Sequence, residues 1–238
     1  NEELLYRLFG VQAELLIDHA WGWEPCTIAA IKDYRPKSSS LSSGQVLPEP
    51  YPHEKARLIV REMADQLSLE LVEKGLVCSQ FVLDIGYDAE NLSAPAQQRS
   101  YHGLTKTDRY GRAVPAAAHG SVNLPVPASS ARILMQAAAE VFDRIADSRL
   151  SVRRVTVTAA GLLRQEEAQL VGGDQLDFFG NYAAHQQQKA ELERELSGQQ
   201  AIVALRQKYG KNAVLRGMDL QEGATTKNRN GQIGGHKA

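Results

Sequence analysis

The chain has 238 residues, 43% of them hydrophobic, and its 27 Lys and Arg nearly balance its 28 Asp and Glu. This composition is typical of one or two globular domains and argues against a disordered or polyelectrolyte chain. No apolar run approaches the roughly 20 residues of a membrane helix, which argues against a membrane protein. Cys26 and Cys78 lie far apart without metal-ligand spacing, which favours reduced thiols in a cytoplasmic protein.

Charge is unevenly distributed along the chain. Residues 1–33 hold six acids and two bases, whereas residues 205–238 hold seven bases and two acids. Local charge is therefore a better guide to partners than the net charge of -1. The chain begins at Asn1 rather than Met, directly in a helical pattern, which predicts a piece of a longer protein.

The first residues predict a small helical segment. Residues 2–23 have the pattern of two short helices around Gly10. Gly10 and Gly22 are typical helix-ending residues, because glycine adopts the left-handed backbone easily. A helix–glycine–helix pair can present backbone amides to a phosphate, or it can pack on a surface outside this chain. Charged residues and Pro36 break the pattern in residues 31–37 and indicate a linker.

Two strand–helix–strand patterns follow. In the first, a serine-rich strand at residues 38–47 precedes a helix at 54–73 and an alternating strand at 78–87. In the second, a strand at 119–126 precedes a helix capped by Ser129 and Ser130, and a strand at 152–162 ends the unit. The two units in tandem predict an α+β fold. Its four-stranded mixed or antiparallel sheet has two helices on one face, in a ferredoxin-like or split arrangement.

The face of this sheet without helices is predicted to be polar. By alternation it carries Gln80, Ser121, Asn123, Arg154, Thr156 and Thr158, with Asp84 as its carboxylate. Arg149, Arg153 and Arg154 stand at the start of the last strand. Arg153 begins on the core side, so its long side chain must reach outward. This face, rimmed by bases, favours an anionic partner.

Residues 88–118 form a long connection between the two units, and such connections are usually functional or disordered. Bases and tyrosines alternate in it, which suits a nucleic-acid backbone and stacking on bases. A solvated loop is the alternative. The residues concerned are Arg99, Tyr101, His102, Lys106, Arg109, Tyr110 and Arg112.

The sequence contains no catalytic constellation. Its six histidines are scattered, and no phosphate-binding loop, nucleophile elbow or zinc-protease motif is present. Asp84, Asp88 and Glu90 come closest to an acidic cluster, but two-metal phosphoryl transfer needs acids that converge on ions about 4 Å apart. Because Asp88 and Glu90 lie at the mouth of a loop, their side chains are predicted to be solvated.

The composition changes after Leu163. Residues 164–200 are acidic, residues 186–196 and 200–209 have helical character, and the glycine-rich residues 223–238 predict a disordered tail. These patterns divide the chain into residues 1–34, 35–165 and 166–238.

In their order and spacing, these features resemble the UmuC/ImpB/MucB/SamB-like branch of the Y-family translesion DNA polymerases, over essentially the whole chain. Residues 4–10, Leu-Leu-Tyr-Arg-Leu-Phe-Gly, and residues 20–22, Ala-Trp-Gly, resemble the end of the thumb domain. Lys-Ser-Ser-Ser at residues 37–40 resembles the first strand of the little-finger domain, and Arg-Arg-Val-Thr-Val at residues 153–157 its last strand. Residues 228–236 resemble the tail of this branch.

The resemblance implies that residues 35–165 hold template–primer DNA by its backbone phosphates, contacts that do not read sequence. Nothing in the chain matches the palm motifs that bind metal ions, so the chain is expected to bind DNA without polymerising it. No cofactor is expected here, since Mg²⁺ belongs to the missing palm. The implied DNA contacts are Lys37, Ser38, Ser40, Arg99, Lys106, Arg109, Arg112, Arg153 and Arg154.

A pentapeptide, Gln175-Leu176-Asp177-Phe178-Phe179, resembles the Gln-Leu-Ser/Asp-Leu-Phe peptide by which bacterial polymerases dock on the sliding clamp. Its apolar side chains would fill pockets on the clamp, although Phe178 replaces the usual leucine. A local apolar staple against the last strand is the alternative.

Two functions therefore stay open: a DNA-holding module, or a protein-interaction module that recruits the clamp or a regulatory polymerase subunit. A free-standing enzyme or small-ligand binder would instead need a deep pocket with converging polar groups.

Overall fold

The computed structural model describes residues 1–34, 40–93, 101–108, 110–171, 182–233 and 236–237. The chain divides into two compact units, residues 1–38 and residues 39–238. Whether residues 35–165 and 166–238 are separate domains stays a prediction.

The described part of the first unit, residues 1–34, contains three helices: α1 (Glu2–Phe9), α2 (Gln12–Ala20) and α3 (Ile28–Asp33). The predicted helix pair around Gly10 is present, and Gly10 has a φ of 57° at the end of α1. The predicted linker is helical as far as Asp33, because Thr27 caps α3 by accepting a hydrogen bond from the Ala30 amide at 3.1 Å. Many apolar side chains of this unit are exposed, Trp21 to 82%.

The second unit contains both strands and helices. Its helices are α4 (His53–Glu73), α5 (Ala131–Ile145), α6 (Gln165–Val171), α7 (Tyr182–Tyr209) and α8 (Thr226–Arg229), with 3₁₀ helices at Ala89–Leu92 and Gly217–Leu220. Its strands are β1 (Ser40–Tyr51), β2 (Leu76–Tyr87), β3 (Thr105–Thr107), β4 (Ala113–Pro115), β5 (Ala118–Ala128), β6 (Val152–Arg164), β7 (Gln232–Ile233) and β8 (His236–Lys237).

The main sheet has the strand order β1, β6, β2, β5, and every neighbouring pair is antiparallel. α4 connects β1 to β2, and α5 connects β5 to β6. Each strand–helix–strand unit therefore leaves a space between its own two strands, and a strand of the other unit fills it. The predicted α+β fold with two helices on a four-stranded sheet is confirmed.

The core lies between this sheet and the two helices. Phe81 of β2 and Phe142 of α5 are fully buried, and burial of such a side chain stabilises the fold by about 1.5–3 kcal/mol. α5 begins where Ser130 Oγ accepts a hydrogen bond from the Ile133 amide at 3.2 Å, as the serine pair predicts.

β6 departs from simple alternation where it begins. Val152 and Val155 are both buried although they are three residues apart. The register explains this, because Arg154 pairs with Gly86 of β2 while Val152 pairs with the very next residue, Tyr87. Arg153 is thus the extra residue of a β-bulge.

The C-terminal segment, defined here as residues 182–233, packs on α4. The two helices predicted at residues 186–196 and 200–209 are one continuous helix, α7, about 42 Å long. Gln199 of α7 donates hydrogen bonds to Ser68 Oγ and to the Ser129 carbonyl, both at 3.1 Å. Residues 223–233, predicted to be disordered, have defined contacts, because the buried carboxylate of Glu62 on α4 accepts hydrogen bonds from their backbone.

Both cysteines are free thiols. Cys26 is exposed, whereas Cys78 is buried, and burial raises the pKa of the Cys78 thiol to about 12. None of the described helices is long and apolar enough to cross a membrane.

Candidate nucleic-acid interface

The face of the sheet away from α4 and α5 is called the open face. It consists of alternate residues of four strands, and none of these residues is buried. Residues that pair in register on neighbouring strands form rows across this face. The members are Ser40, Ser42, Gly44 and Val46 of β1; Arg154, Thr156, Thr158 and Ala160 of β6; Gln80, Val82, Asp84 and Gly86 of β2; and His119, Ser121 and Asn123 of β5.

Side-chain hydrogen bonds between adjacent strands hold the polar groups of this face in place. Ser42 Oγ and Thr158 Oγ1 are 2.9 Å apart, and the Gln80 amide donates to Asn123 Oδ1 at 3.1 Å. The Gln80 and Asn123 amides keep further N–H donors after this bond, and the contact between Ser42 and Thr158 uses only one of their two O–H groups. The open face can therefore donate hydrogen bonds to an anion from several strands at once.

Two glycines leave space beside the central strand β6. A Cβ on Gly86 would lie 3.2 Å from Arg154 Cβ, and a Cβ on Gly44 would lie 3.3 Å from Thr156 Oγ1. Any larger residue at either position would crowd the side chains of β6. The glycines also let a ligand approach the backbone of β1 and β2 closely.

The three predicted arginines differ in their surroundings. Arg149 donates two hydrogen bonds to the Asp147 carboxylate, which holds the pKa of that carboxyl below its ordinary value. Arg153 lies at the bulge, with its Nε 3.6 Å from Asp88 Oδ2. Arg154 is exposed and has no ion pair within the described residues. Arg154 therefore brings uncompensated positive charge to the open face.

The prediction that Asp88 and Glu90 are solvated is wrong for Asp88. Glu90 is exposed, but the Asp88 side chain is only 15% exposed. Its Oδ1 accepts a hydrogen bond from the Glu90 amide at 2.8 Å, because the chain turns there into the 3₁₀ helix Ala89–Leu92. Asp88 therefore caps this helix and forms an ion pair with Arg153.

The long connection contains a small hairpin, in which β3 pairs with β4. Lys106 on β3 is exposed. Arg112 is also exposed, and its guanidinium pairs with Asp108 at 2.8 Å and lies 5.3 Å from the ring centroid of Tyr110. The Arg112 backbone amide is the main cause of the lowered pKa of Asp108. The hairpin thus presents Lys106 without an ion pair in the described chain, whereas the charge of Arg112 is partly compensated.

Several predicted site residues lie outside the described residues. These are Lys37 and Ser38 before β1, Arg99 and Arg109 in the long connection, and the whole pentapeptide Gln175–Phe179. Ser40, the remaining predicted contact on β1, is exposed at the start of that strand.

Sequence reasoning missed the pairing of Asp84 with His119. The Asp84 carboxylate on β2 and the His119 ring on β5 face each other in the register, with Oδ1 and Nδ1 2.7 Å apart. Alternation places Asp84 on this face, but only the register of two strands far apart in sequence identifies its neighbour. The one carboxylate of the open face is therefore engaged by a histidine.

A groove of about 720 Å³ lies where the C-terminal segment meets α4 and the outer edge of β1. Charged residues of both signs line it, among them Glu70, Lys74 and Arg229. In the described ranges, no group of three His, Cys, Asp or Glu side chains is placed to hold a metal ion.

The domain thus belongs to the split α+β class, with one face of the sheet covered by helices and the other polar and exposed. Such an exposed face suits a partner that binds on the surface rather than a ligand enclosed in a pocket. A family model described as the impB/mucB/samB family C-terminal domain matches residues 38–174, more than half of the chain. The chain belongs to this family.

The matched residues include the whole four-stranded sheet. The family is part of the Y-family DNA polymerases, which are nucleotidyltransferases, and the matched domain is the C-terminal part of a translesion polymerase. DNA is therefore the partner that the family implies. Among the curated proteins compared, none matches the chain.

Proposed function

We propose that the chain holds the template–primer DNA of a lesion-bypass polymerase through sequence-independent contacts to backbone phosphates. One observation carries the proposal: among the described residues, the open face combines hydroxyls, amides and the Arg154 guanidinium, which has no ion pair there, with a single carboxylate, which His119 engages. Such groups bind phosphate oxygens without reading base edges. The proposed contacts are Ser40, Lys106, Arg112, Arg153 and Arg154, together with Lys37, Ser38, Arg99 and Arg109.

In this proposal, the chain holds the DNA, and a palm domain outside the chain catalyses polymerisation. Residues 1–34 would belong to the thumb and residues 35–165 to the little finger. We infer that the chain binds DNA without polymerising it, because its sequence has no match to the metal-binding motifs of the palm. We further propose that the polymerase copies damaged DNA during the SOS response, a function that it would perform in the cytoplasm.

The first test measures binding to two labelled DNA duplexes of unrelated sequence by fluorescence anisotropy. Both duplexes should bind with similar Kd, and log Kd should rise linearly with log salt, because each phosphate contact releases counterions. Arg154→Glu should weaken binding about ten-fold for both sequences and lower the salt slope by about 0.9, the contribution of one phosphate.

The matched control is Arg194→Glu, since Arg194 is an exposed arginine on α7, away from the open face. It should leave Kd nearly unchanged. Undetectable binding of the unmodified chain at low salt would contradict the proposal, as would a loss in Arg154→Glu confined to one of the two sequences.

We also propose that Gln175–Phe179 recruits the bacterial sliding clamp. The support is the sequence of the pentapeptide, which offers Leu176 and Phe179 as apolar anchors and Gln175 as a hydrogen-bonding group. A regulatory polymerase subunit is a further partner that the family resemblance supports. Recruitment and DNA holding are compatible, because they use different residues.

A pull-down with purified sliding clamp tests this second proposal. Leu176→Ala/Phe179→Ala should abolish capture, because anchors of this kind supply most of the energy of a small interface. Leu220→Ala is the control, since Leu220 is 69% exposed and lies outside the pentapeptide. If the double variant binds the clamp as well as the unmodified chain does, the pentapeptide is not the docking site.

A further inference from the structure

The pair formed by Asp84 and His119 is unusual for a surface that binds phosphates. Asp84 lies in the row Gly44, Thr156, Asp84, His119, which crosses all four strands of the open face. A lone carboxylate there would repel a DNA backbone. Its side chain is 48% exposed and that of His119 is 65% exposed, so both are within reach of a ligand on this face.

The geometry leaves one ring nitrogen of His119 available. Nδ1 faces Asp84 Oδ1 at 2.7 Å, so Nε2, on the other side of the imidazole, points away from the carboxylate. A neutral imidazole leaves the pair with the negative charge of Asp84. A protonated imidazole cancels that charge and makes Nε2–H a charge-assisted donor. Histidine is the side chain that changes charge most readily between about pH 5 and 8.

The other charged groups near the pair do not take the place of His119 in cancelling the charge of Asp84. Arg154 on β6 is one row away, opposite Gly86. β1 contributes no charged residue to the open face. Arg144 of α5, which packs on the other side of β5, donates to the Ser121 carbonyl and lies 3.9 Å from Glu140. His119 is thus the titratable cation nearest to Asp84 on this face.

We infer that His119 is a proton-coupled phosphate contact, positioned by Asp84. The inference rests on the proposed DNA-holding function and adds a regulation to it. A phosphate oxygen that accepts a hydrogen bond from Nε2 favours the imidazolium, so DNA binding takes up a proton from solvent at His119. Affinity therefore falls as the pH rises and the imidazole loses its proton.

The experiment measures Kd for a fluorescein-labelled primer–template duplex at pH 6 and pH 8, at one low salt concentration and along a salt series. The unmodified chain should bind about ten-fold more weakly at pH 8, the lower end of the loss expected for one charge-assisted hydrogen bond. His119→Gln, which keeps a hydrogen-bonding side chain but does not titrate, should bind equally at both pH values. At pH 6 its salt slope should be shallower by about 0.9.

Asp84→Asn tests the positioning function, since it removes the carboxylate that faces Nδ1 of His119 at 2.7 Å. Its pH dependence should shrink, while its affinity at pH 8 should rise because the repulsion is gone. His19→Gln is the matched control: His19 forms a similarly exposed pair with Glu24, Nε2 to Oε2 2.7 Å, outside the sheet. This variant should keep the full pH dependence.

The outcomes separate the two proposals. If the unmodified chain does not bind DNA at either pH, the proposed function fails and the inference fails with it. If the chain binds DNA with the same Kd at pH 6 and pH 8, or if His119→Gln keeps the full pH dependence, the inference is overturned while the proposed function stands.

Discussion

Glu62 is a buried acid on the side of α4 that the C-terminal segment covers. It is 1% exposed. Its two carboxylate oxygens accept hydrogen bonds from the Thr225 and Thr226 amides, at 3.0 and 3.3 Å. Burial raises the pKa of Glu62, and these hydrogen bonds offset only part of that rise. The packing of α8 on α4 therefore depends on the protonation state of Glu62.

This raised pKa gives Glu62 a defined effect on stability. Because the folded chain holds the proton more tightly than the unfolded chain does, the contribution is complete below the unfolded pKa and is lost as the pH rises through the folded pKa. The glutamine side chain of the Glu62→Gln variant cannot gain or lose a proton. The free energy of unfolding of the unmodified chain, minus that of Glu62→Gln, should therefore fall as the pH rises above 4.5, the ordinary pKa of this side chain, by about 1.4 kcal/mol for each unit by which folding raises the pKa.

Urea denaturation of both proteins across this pH range measures the difference. Glu193→Gln is the control, because Glu193 is exposed on α7, and its difference from the unmodified chain should be nearly constant with pH. A difference for Glu62→Gln that grows with pH would contradict the assignment.

At the scale of elements, the packing of the C-terminal segment on α4 depends on polar contacts. Arg216 Nε lies 2.6 Å from Asp65 Oδ1, and the Asp65 side chain is 1% exposed. Burial is the main influence on the pKa of Asp65 and raises it, while Arg216 acts in the opposite direction. Glu195 of α7 also accepts hydrogen bonds from Ser130 Oγ and the Arg132 amide at the start of α5. Charged side chains thus attach the C-terminal segment to α4 and to the start of α5.

Arg216→Ala should lower the free energy of unfolding by about 2 kcal/mol, because it leaves a carboxylate buried without its partner. The figure is below that for a fully buried pair, since the Arg216 side chain is 39% exposed. Urea denaturation measures the loss. Arg194→Ala, at an exposed arginine of α7, should change the unfolding free energy little.

A double-mutant cycle separates the ion pair from other effects of the substitution. In the Asp65→Asn background, Arg216→Ala should cost much less, because no buried charge is then left without a partner. An equal loss in both backgrounds would show that Arg216 acts through packing and not through Asp65.

At the scale of the whole molecule, local patterns in the sequence predict the elements of the sheet well. The period of two places Gln80, Asp84 and Thr156 on one face, and the structure has them there. The period of 3.6 and the Ser130 cap locate α5. These features depend on residues a few positions apart, so they can be read without knowledge of the fold.

Features that depend on distant residues could not be predicted in this way. The interleaved strand order and the pairing of Asp84 with His119 follow from registers between separate strands. Glu62, Asp65 and Ser68 have the composition of a solvent-facing stripe of α4, yet residues more than 100 positions later bury them. The bulge at Arg153 likewise needs the partner strand to define it.

Each of the two outermost strands of the sheet has a feature that hinders pairing with a strand of another molecule. On β1, the Arg229 guanidinium donates to Ser43 Oγ at 2.7 Å and to the Gly44 carbonyl at 3.3 Å, so a backbone acceptor at that edge is already occupied. On β5, Pro125 and Pro127 have no amide hydrogen to offer, which is a common protection against aggregation. At high concentration, copies of the chain would thus be hindered from merging into a continuous sheet.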